Sequence, residues 1–361
     1  MEAESFHEGD KHMSFKLTEQ VIEERLNTFL GHTLPRVRLT RETAVSLINR
    51  IDNIRLHAHS YPHIHNLTYG DWQPIDLLHF AYTHELHGLN INIDKGNPAY
   101  TLANSSPDRL TYFKNEAAWL GLAIHLELSS TARTDVDRVV RVALALDATH
   151  IRFYSRYDGL LSDAIAKTQA DMVYAAGLAD RYDLHFHLEQ HESFKAAEIV
   201  QMLTAVNHPR LHAFFDFSNM INANERPLTA LRTLAPYAQQ AHLKGAKILP
   251  EGNGYAQLGV PQGDAEDDLP NARMLFELLF LGKPDPQIRF LVFEQEVNYY
   301  APPYRQAGEG ENPTIPFKIP SKTPFSAEDP LALLQERRWA VNQIHYVKTV
   351  LAELKQFAQL F

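Results

Sequence analysis

Four short stretches of this chain end an apolar run on a residue that can hold a cation or move a proton. "LHFHLEQHE" delivers Glu189, "HAFFDFSN" delivers Asp216, "QQAHLKG" delivers His242 and "FLVFEQE" delivers Glu294. Three carboxylates and one imidazole form a donor set for one divalent ion. Mn²⁺ is the leading expectation, with Mg²⁺, Co²⁺ and Zn²⁺ also suited to such ligands. Carboxylates crowded together without a cation would repel one another and rise in pKa, so a bound ion is the economical reading. A lone strand-end Asp or Glu is more often a helix cap or an ion-pair partner, and only the four in register point to an ion. The eighth-strand position has a rival, because Glu296 shares a strand face with Glu294. Glu294 is preferred because it follows the apolar "FLVF" directly.

Supporting polar residues stand nearby. His191, two after Glu189, could meet a substrate hydroxyl or stay in solvent. Lys244 shares the face of His242 and could hold a substrate oxygen or pair with a rim carboxylate. Arg152, in "HIRFYS", is a candidate substrate contact, with structural ion pairing as the alternative. His185 and His187 precede Glu189 on the same face and sit deeper, where a hydrogen-bonded core histidine is expected. "LHAHSYPHIH" carries His57, His59, His63 and His65, of which two are expected to be plain surface residues.

The elements that must position these residues alternate strictly. Two helices come first, "SFKLTEQVIEERLNTFLGH" and "TRETAVSLINRIDNI", as an N-terminal helical extension over residues 1–50. From "IRLHAHSYP" onward, eight apolar strand patterns alternate with helix patterns, among them a helix opened by Ser106 with Pro107 in its first turn. Strict alternation implies a parallel sheet with helical crossovers, and eight units imply closure into a (β/α)8 TIM barrel spanning 51–361. An open doubly wound sheet is the runner-up, but no G-x-G-x-x-G follows the first strand. In a barrel, active-site groups stand at the C-terminal strand ends, where the four candidates fall. The stretch "LPEGNGYAQLGVPQGDAEDD", after the strand "QQAHLKGAKI", reads as a Gly-rich loop. A Pro-rich loop, 301–330, precedes the closing helix "ALLQERRWAVNQIHYVKTVLAELKQF" and is expected to act as a lid, with a simple interface arm as the alternative.

Composition removes several classes of function. The chain has 361 residues, 45% hydrophobic and 22% charged, as in ordinary globular proteins. Lysine plus arginine number 34 against 44 acidic residues, a net charge of −10, which argues against a nucleic-acid partner. The absence of cysteine removes disulfides, zinc–thiolate sites and thiol nucleophiles. No secretory or membrane-spanning stretch is read, so a cytoplasmic protein with no membrane partner is expected.

The series "HLEQHE", "FFDFSN", "HLKG" and "FEQE" resembles the xylose isomerase-like barrel superfamily of sugar isomerases and epimerases, which also contains the zinc apurinic endonucleases. "IDLLHFAYTHELHGLNINI" and "AQLGVPQGDAEDDLPNARMLFELL" extend the resemblance over roughly residues 50 to 300. It implies one divalent ion held by Glu189, Asp216, His242 and Glu294. It implies as well that Glu189 and Glu294 take and return a proton beside a sugar carbonyl, through a cis-enediolate. Three features depart from the family pattern. The acidic residue often found after "HLK" is Gly245. Asn219 stands where the trinuclear endonucleases carry a histidine, which argues against that activity and leaves it as a substrate contact. Glu296 keeps the eighth-strand ligand open. Lys247 is a weak parallel to a basic substrate contact in some relatives. The expected function is thus a metal-dependent isomerase or epimerase of a small keto-sugar. The alternative is a lyase cleaving or dehydrating 3-keto-glycosides with the same site, and a non-catalytic sugar-binding barrel is a further one. No phosphate-cradling glycine loop stands out, which favours a non-phosphorylated substrate. A homo-oligomer is expected on base rates.

Overall fold

The stretch that carries Glu189 forms a strand, His185–Glu189, in which His185, His187 and Glu189 face inward while Phe186 and Leu188 are buried under the helices. It is the fifth of eight parallel strands that close into a barrel: β1 Arg55–His59, β2 Gly88–Asn92, β3 Ala123–Glu127, β4 His150–Phe153, β5 His185–Glu189, β6 Leu211–Asp216, β7 Ala238–Leu243 and β8 Phe290–Phe293. Each strand pairs with its sequence neighbours, and β1 closes the ring on β8 with His57 opposite Val292. This computed structural model describes residues 18–282, 287–317 and 330–361.

The helices form where apolar residues recur at helical spacing. The helix Leu161–Tyr182 buries Leu161, Ala164, Ile165, Met172, Ala175, Ala176 and Ala179 along one face. It stops at Asp183, whose left-handed φ of 58° turns the chain into β5. Ser106 caps Pro107–Trp119 by accepting from the Arg109 N–H at 3.3 Å. Before β1 lie α1 (Glu19–Phe29) and α2 (Arg41–Asn53), the two expected helices. The long helix Pro330–Gln359 packs along α2. Its Glu336 accepts from the backbone N–H groups of His65 and Asn66, both at 3.0 Å, and so fixes the turn after β1. Among the described residues no helix is long and apolar enough to cross a membrane.

One expectation changes here. The Gly-rich loop after β7 is an antiparallel hairpin, Gly245–Glu251 with Gly254–Val260, and Tyr300–Ala301 adds a third strand to it. The turn residues were legible, but the strands flanking them are short and amphipathic. The described part of 301–330 is tied down as well: Thr314–Ile315 pairs with Gly159–Leu160, and Asn222 donates to the carbonyls of Ala301 and Pro302. The rest of the expected lid, 318–329, lies outside the described residues, as does the start of the N-terminal extension.

Candidate metal centre at the C-terminal rim of the barrel

The strand register sets the site. Asp216 is opposite His242 across β6 and β7, and Glu294 follows β8 directly, so alternation points all three inward beside Glu189. His242 lies at the centre. Its Nδ1 is 2.9 Å from Glu189 Oε1, 3.1 Å from Glu294 Oε2 and 3.7 Å from Asp216 Oδ2. All four side chains are buried. One N–H cannot serve three carboxylates, and Asp216 Oδ2 and Glu294 Oε2 share a single ammonium, that of Lys244. Three buried carboxylates crowded on one imidazole nitrogen are a donor set that fits a divalent cation.

The donors fall into two overlapping groups that share His242. Glu189, Asp216 and His242 bring ligand atoms within 4.8 Å of one another, and so do His59, Glu127, His242 and Glu294. Glu127, the last residue of β3, was missed in the sequence. Its Oε1 lies 3.0 Å from His242 Nε2 and its Oε2 lies 2.9 Å from His59 Nε2. A carboxylate on Nε2 favours the tautomer whose Nδ1 lone pair faces Glu189, Asp216 and Glu294. The strand-end rule applied to "AIHLE" would have found it.

Two buried cations brace the cluster. Arg152 Nη2 is 2.6 Å from Glu189 Oε2, and Nη1 is 3.5 Å from Glu127 Oε2, so ion pairing holds Arg152 although it also lines the cavity above. Lys244 Nζ is 2.9 Å from Asp216 Oδ2, 2.5 Å from Glu294 Oε2 and 3.7 Å from Glu296 Oε2. Burial pushes the Glu294 carboxyl up to about 7 against the pull of His242 and Lys244. Burial alone would pull His242 down, but the surrounding Glu294 and Glu127 carboxylates hold it well above its usual range. The Asp216 carboxylate, despite burial, is held low by Lys244 and His242.

Glu296 is outside both donor groups, with a side chain 20% exposed to the cavity. The cavity, about 260 Å³, is also lined by Asn219, His191, Tyr61, Tyr154 and Tyr299. His191 stacks on Tyr154 with centroids 3.8 Å apart, and Asn219 accepts from Gln257 at 3.2 Å. Lys247 instead pairs with Glu266 at 3.1 Å on the hairpin and does not line the cavity. The departure at Gly245 has a steric cause: a Cβ there would lie 2.6 Å from the Gln262 Cα and the Val260 carbonyl. The expectation of two surface residues among His57, His59, His63 and His65 is wrong. The first three are buried, and His65 Nδ1 lies 2.9 Å from Glu336. The "LHAH" alternation places His57 and His59 in the lumen.

Residues 112–282 match the family model described as xylose isomerase-like TIM barrel. The uncharacterised protein YihM of Escherichia coli strain K12 is 35% identical over 322 residues, 89% of this chain and 98% of that one. Among solved structures, a xylose isomerase-like TIM barrel protein from Mycobacterium smegmatis in complex with magnesium superposes with a TM-score of 0.54 at 13% identity, covering 84% of this chain and 98% of the other. D-psicose 3-epimerase with D-tagatose from Clostridium cellulolyticum H10 gives 0.53 at 14% identity, covering 81% and 99%.

Proposed function

The chain belongs to the xylose isomerase-like TIM-barrel family, and from that premise we propose that it is a divalent-metal-dependent isomerase or epimerase of a keto-sugar. The observation that carries this reading is the convergence of the buried carboxylates Glu189, Asp216 and Glu294 on His242 Nδ1, beneath an open polar cavity. Glu189, Asp216, His242 and Glu294 would hold the ion, with Mn²⁺ first among the candidates.

A bound ion supplies Lewis-acid polarisation of a substrate carbonyl, worth several kcal/mol. The chain does the rest. Glu189 and Glu294 enter from β5 and β8, one to take the proton beside the carbonyl and the other to return it. Arg152 fixes Glu189, so its second oxygen keeps one orientation. Lys244 stands beside Glu294 at the cavity wall, where its ammonium can meet the negative oxygen of the cis-enediolate. Glu296 offers Lys244 an alternative carboxylate when Asp216 and Glu294 turn to the ion. His191 and Asn219, at the ends of β5 and β6, are placed to bond sugar hydroxyls.

The test is incubation of the metal-loaded protein with ketoses and 3-keto-glycosides in deuterated water. Deuterium at a sugar carbon without bond cleavage supports the reading. Release of an aglycone would assign lyase chemistry to the same residues, and no exchange with any keto-sugar would sink both.

A further inference from the structure

Four cations line the cavity above the cluster: Lys95, Arg152, Arg156 and Lys244. Arg152 and Lys244 are engaged with the buried carboxylates below. The other two have no such task. Lys95, three residues beyond β2, is exposed and makes no ion pair or side-chain hydrogen bond among the described residues. Arg156, three residues beyond β4, keeps its side chain 28% exposed.

Arg156 is held rather than neutralised. Its guanidinium lies 4.4 Å from the Tyr154 ring centroid and donates to a tyrosine hydroxyl, that of Tyr154. Its nearest carboxylate is Glu192 Oε2, at 3.8 Å. That carboxylate is already shared, because its Oε1 accepts from Tyr299 at 2.6 Å and its Oε2 lies 3.4 Å from His191 Nδ1. Glu192 itself sits at a left-handed φ of 40°, unusual for a residue with a side chain and frequent where a functional site fixes the backbone. A guanidinium held over an aromatic ring and partly exposed at a cavity wall is suited to pair with a planar or tetrahedral oxyanion.

The topology separates this pair from the acids. Lys95 and Arg156 come from β2 and β4, whereas Glu294, Glu296 and Lys244 come from β7 and β8 on the other side of the ring. Glu294 and Glu296 are the carboxylates that line the cavity. We propose that the β2–β4 side of the cavity is a subsite for an oxyanion substituent of the substrate, a carboxylate or a phosphate, held by Arg156 and Lys95. This rests on the keto-sugar reading and narrows it to acidic keto-sugars, with the carbonyl end toward the metal cluster and the anion toward Arg156.

Binding of D-fructuronate, D-fructose 6-phosphate and D-fructose to metal-loaded protein tests this by calorimetry. At least one acid should bind about tenfold or more tightly than the neutral sugar, and the tighter acid identifies the anion. Lys95→Gln, at an exposed position without partners, should erase several-fold of that preference, and Arg156→Gln most of it. The preference should also shrink with salt. Neutral sugar binding as tightly as both acids, no binding of either acid, or an acid preference untouched by Lys95→Gln and Arg156→Gln would overturn the subsite. A metal-loaded protein that exchanges deuterium into D-fructose yet lacks acid preference refutes this subsite alone. A protein that binds no metal but keeps an Arg156-dependent acid preference retains the subsite and loses the metal reading.

Discussion

His242 is pulled from both ring nitrogens, and that division of labour decides which neighbours matter most. Nδ1 faces three carboxylates that can share an ion, while Nε2 is held by Glu127. Glu127→Gln keeps the size of the side chain but loses the negative charge that orients the imidazole. It should weaken metal binding by about 10–100-fold, the usual cost of losing such an outer partner, as measured by competition with a metal chelator. Unchanged affinity would mean that Glu127 serves only Arg152 and His59. At the eighth strand, Glu294→Gln should lower bound metal and abolish deuterium exchange, while Glu296→Gln should keep metal near one ion per chain. The opposite pattern, read by elemental analysis, would make Glu296 the ligand. Glu189, Asp216, His242 and Glu294 were legible because each ends an apolar strand. Lys95, Arg156 and Glu192 were not, because each sits three residues past a strand in loops without a periodic pattern.

Below the metal cluster the strands carry a floor of imidazoles. His57, His125, His150, His185, His187 and His212 stack around the lower lumen with ring centroids 4.4–5.3 Å apart between neighbours. Hydrogen bonds link His150 to His187 at 2.9 Å and His185 to His212 at 3.0 Å. The floor joins the site through Asn90, which meets His57 at 2.9 Å and Glu127 at 3.2 Å. Gly88 makes room for it, since a Cβ there would lie 2.8 Å from the His57 ring. Burial, reinforced by neighbouring histidines, lowers His57 and His212 to about 4 and His150 to about 3. These rings stay neutral in the fold and accept protons in the unfolded chain near 6.5, so their contribution to stability is complete above pH 6.5. It is lost as pH falls toward 4, by about 1.4 kcal/mol per pH unit for each such group. Urea midpoints should therefore drop steeply between pH 6.5 and 4. His212→Gln should flatten that slope, whatever it does to stability at neutral pH, and an unchanged slope would refute the account. In the sequence the alternation "LHFHLE" marks such a strand, but the other rings come from strands far apart in the chain. Only the closed barrel shows that they stack.

At the scale of the molecule, the ring closes through pairing of β1 with β8, and the site draws on β3, β5, β6, β7 and β8 together. The eight-fold alternation made this architecture legible, because each strand and helix carries its own period. The hairpin after β7 was hidden because a short two-stranded insertion has little pattern of its own. A cluster that gathers residues from so many strands ties the ion to the integrity of the whole barrel. With Glu127, Glu189, Asp216 and Glu294 converging on His242, and Arg152 and Lys244 as counter-cations, carboxylates remain in excess. The folded chain therefore gathers donors that the unfolded chain holds far apart. An ion that binds only the fold stabilises it by about 2.7 kcal/mol at a free concentration a hundred times its Kd. For a chain of this size that corresponds to a Tm shift of roughly 3–4 °C. Dialysis against a chelator should lower Tm by that order, and adding Mn²⁺ should restore it in proportion to the logarithm of its concentration. Asp216→Asn should remove the metal-dependent part of the shift, whereas Glu296→Gln should keep it. A melting temperature indifferent to chelator and to Mn²⁺ in the unsubstituted chain would mean that the convergent carboxylates serve Lys244 and Arg152 alone.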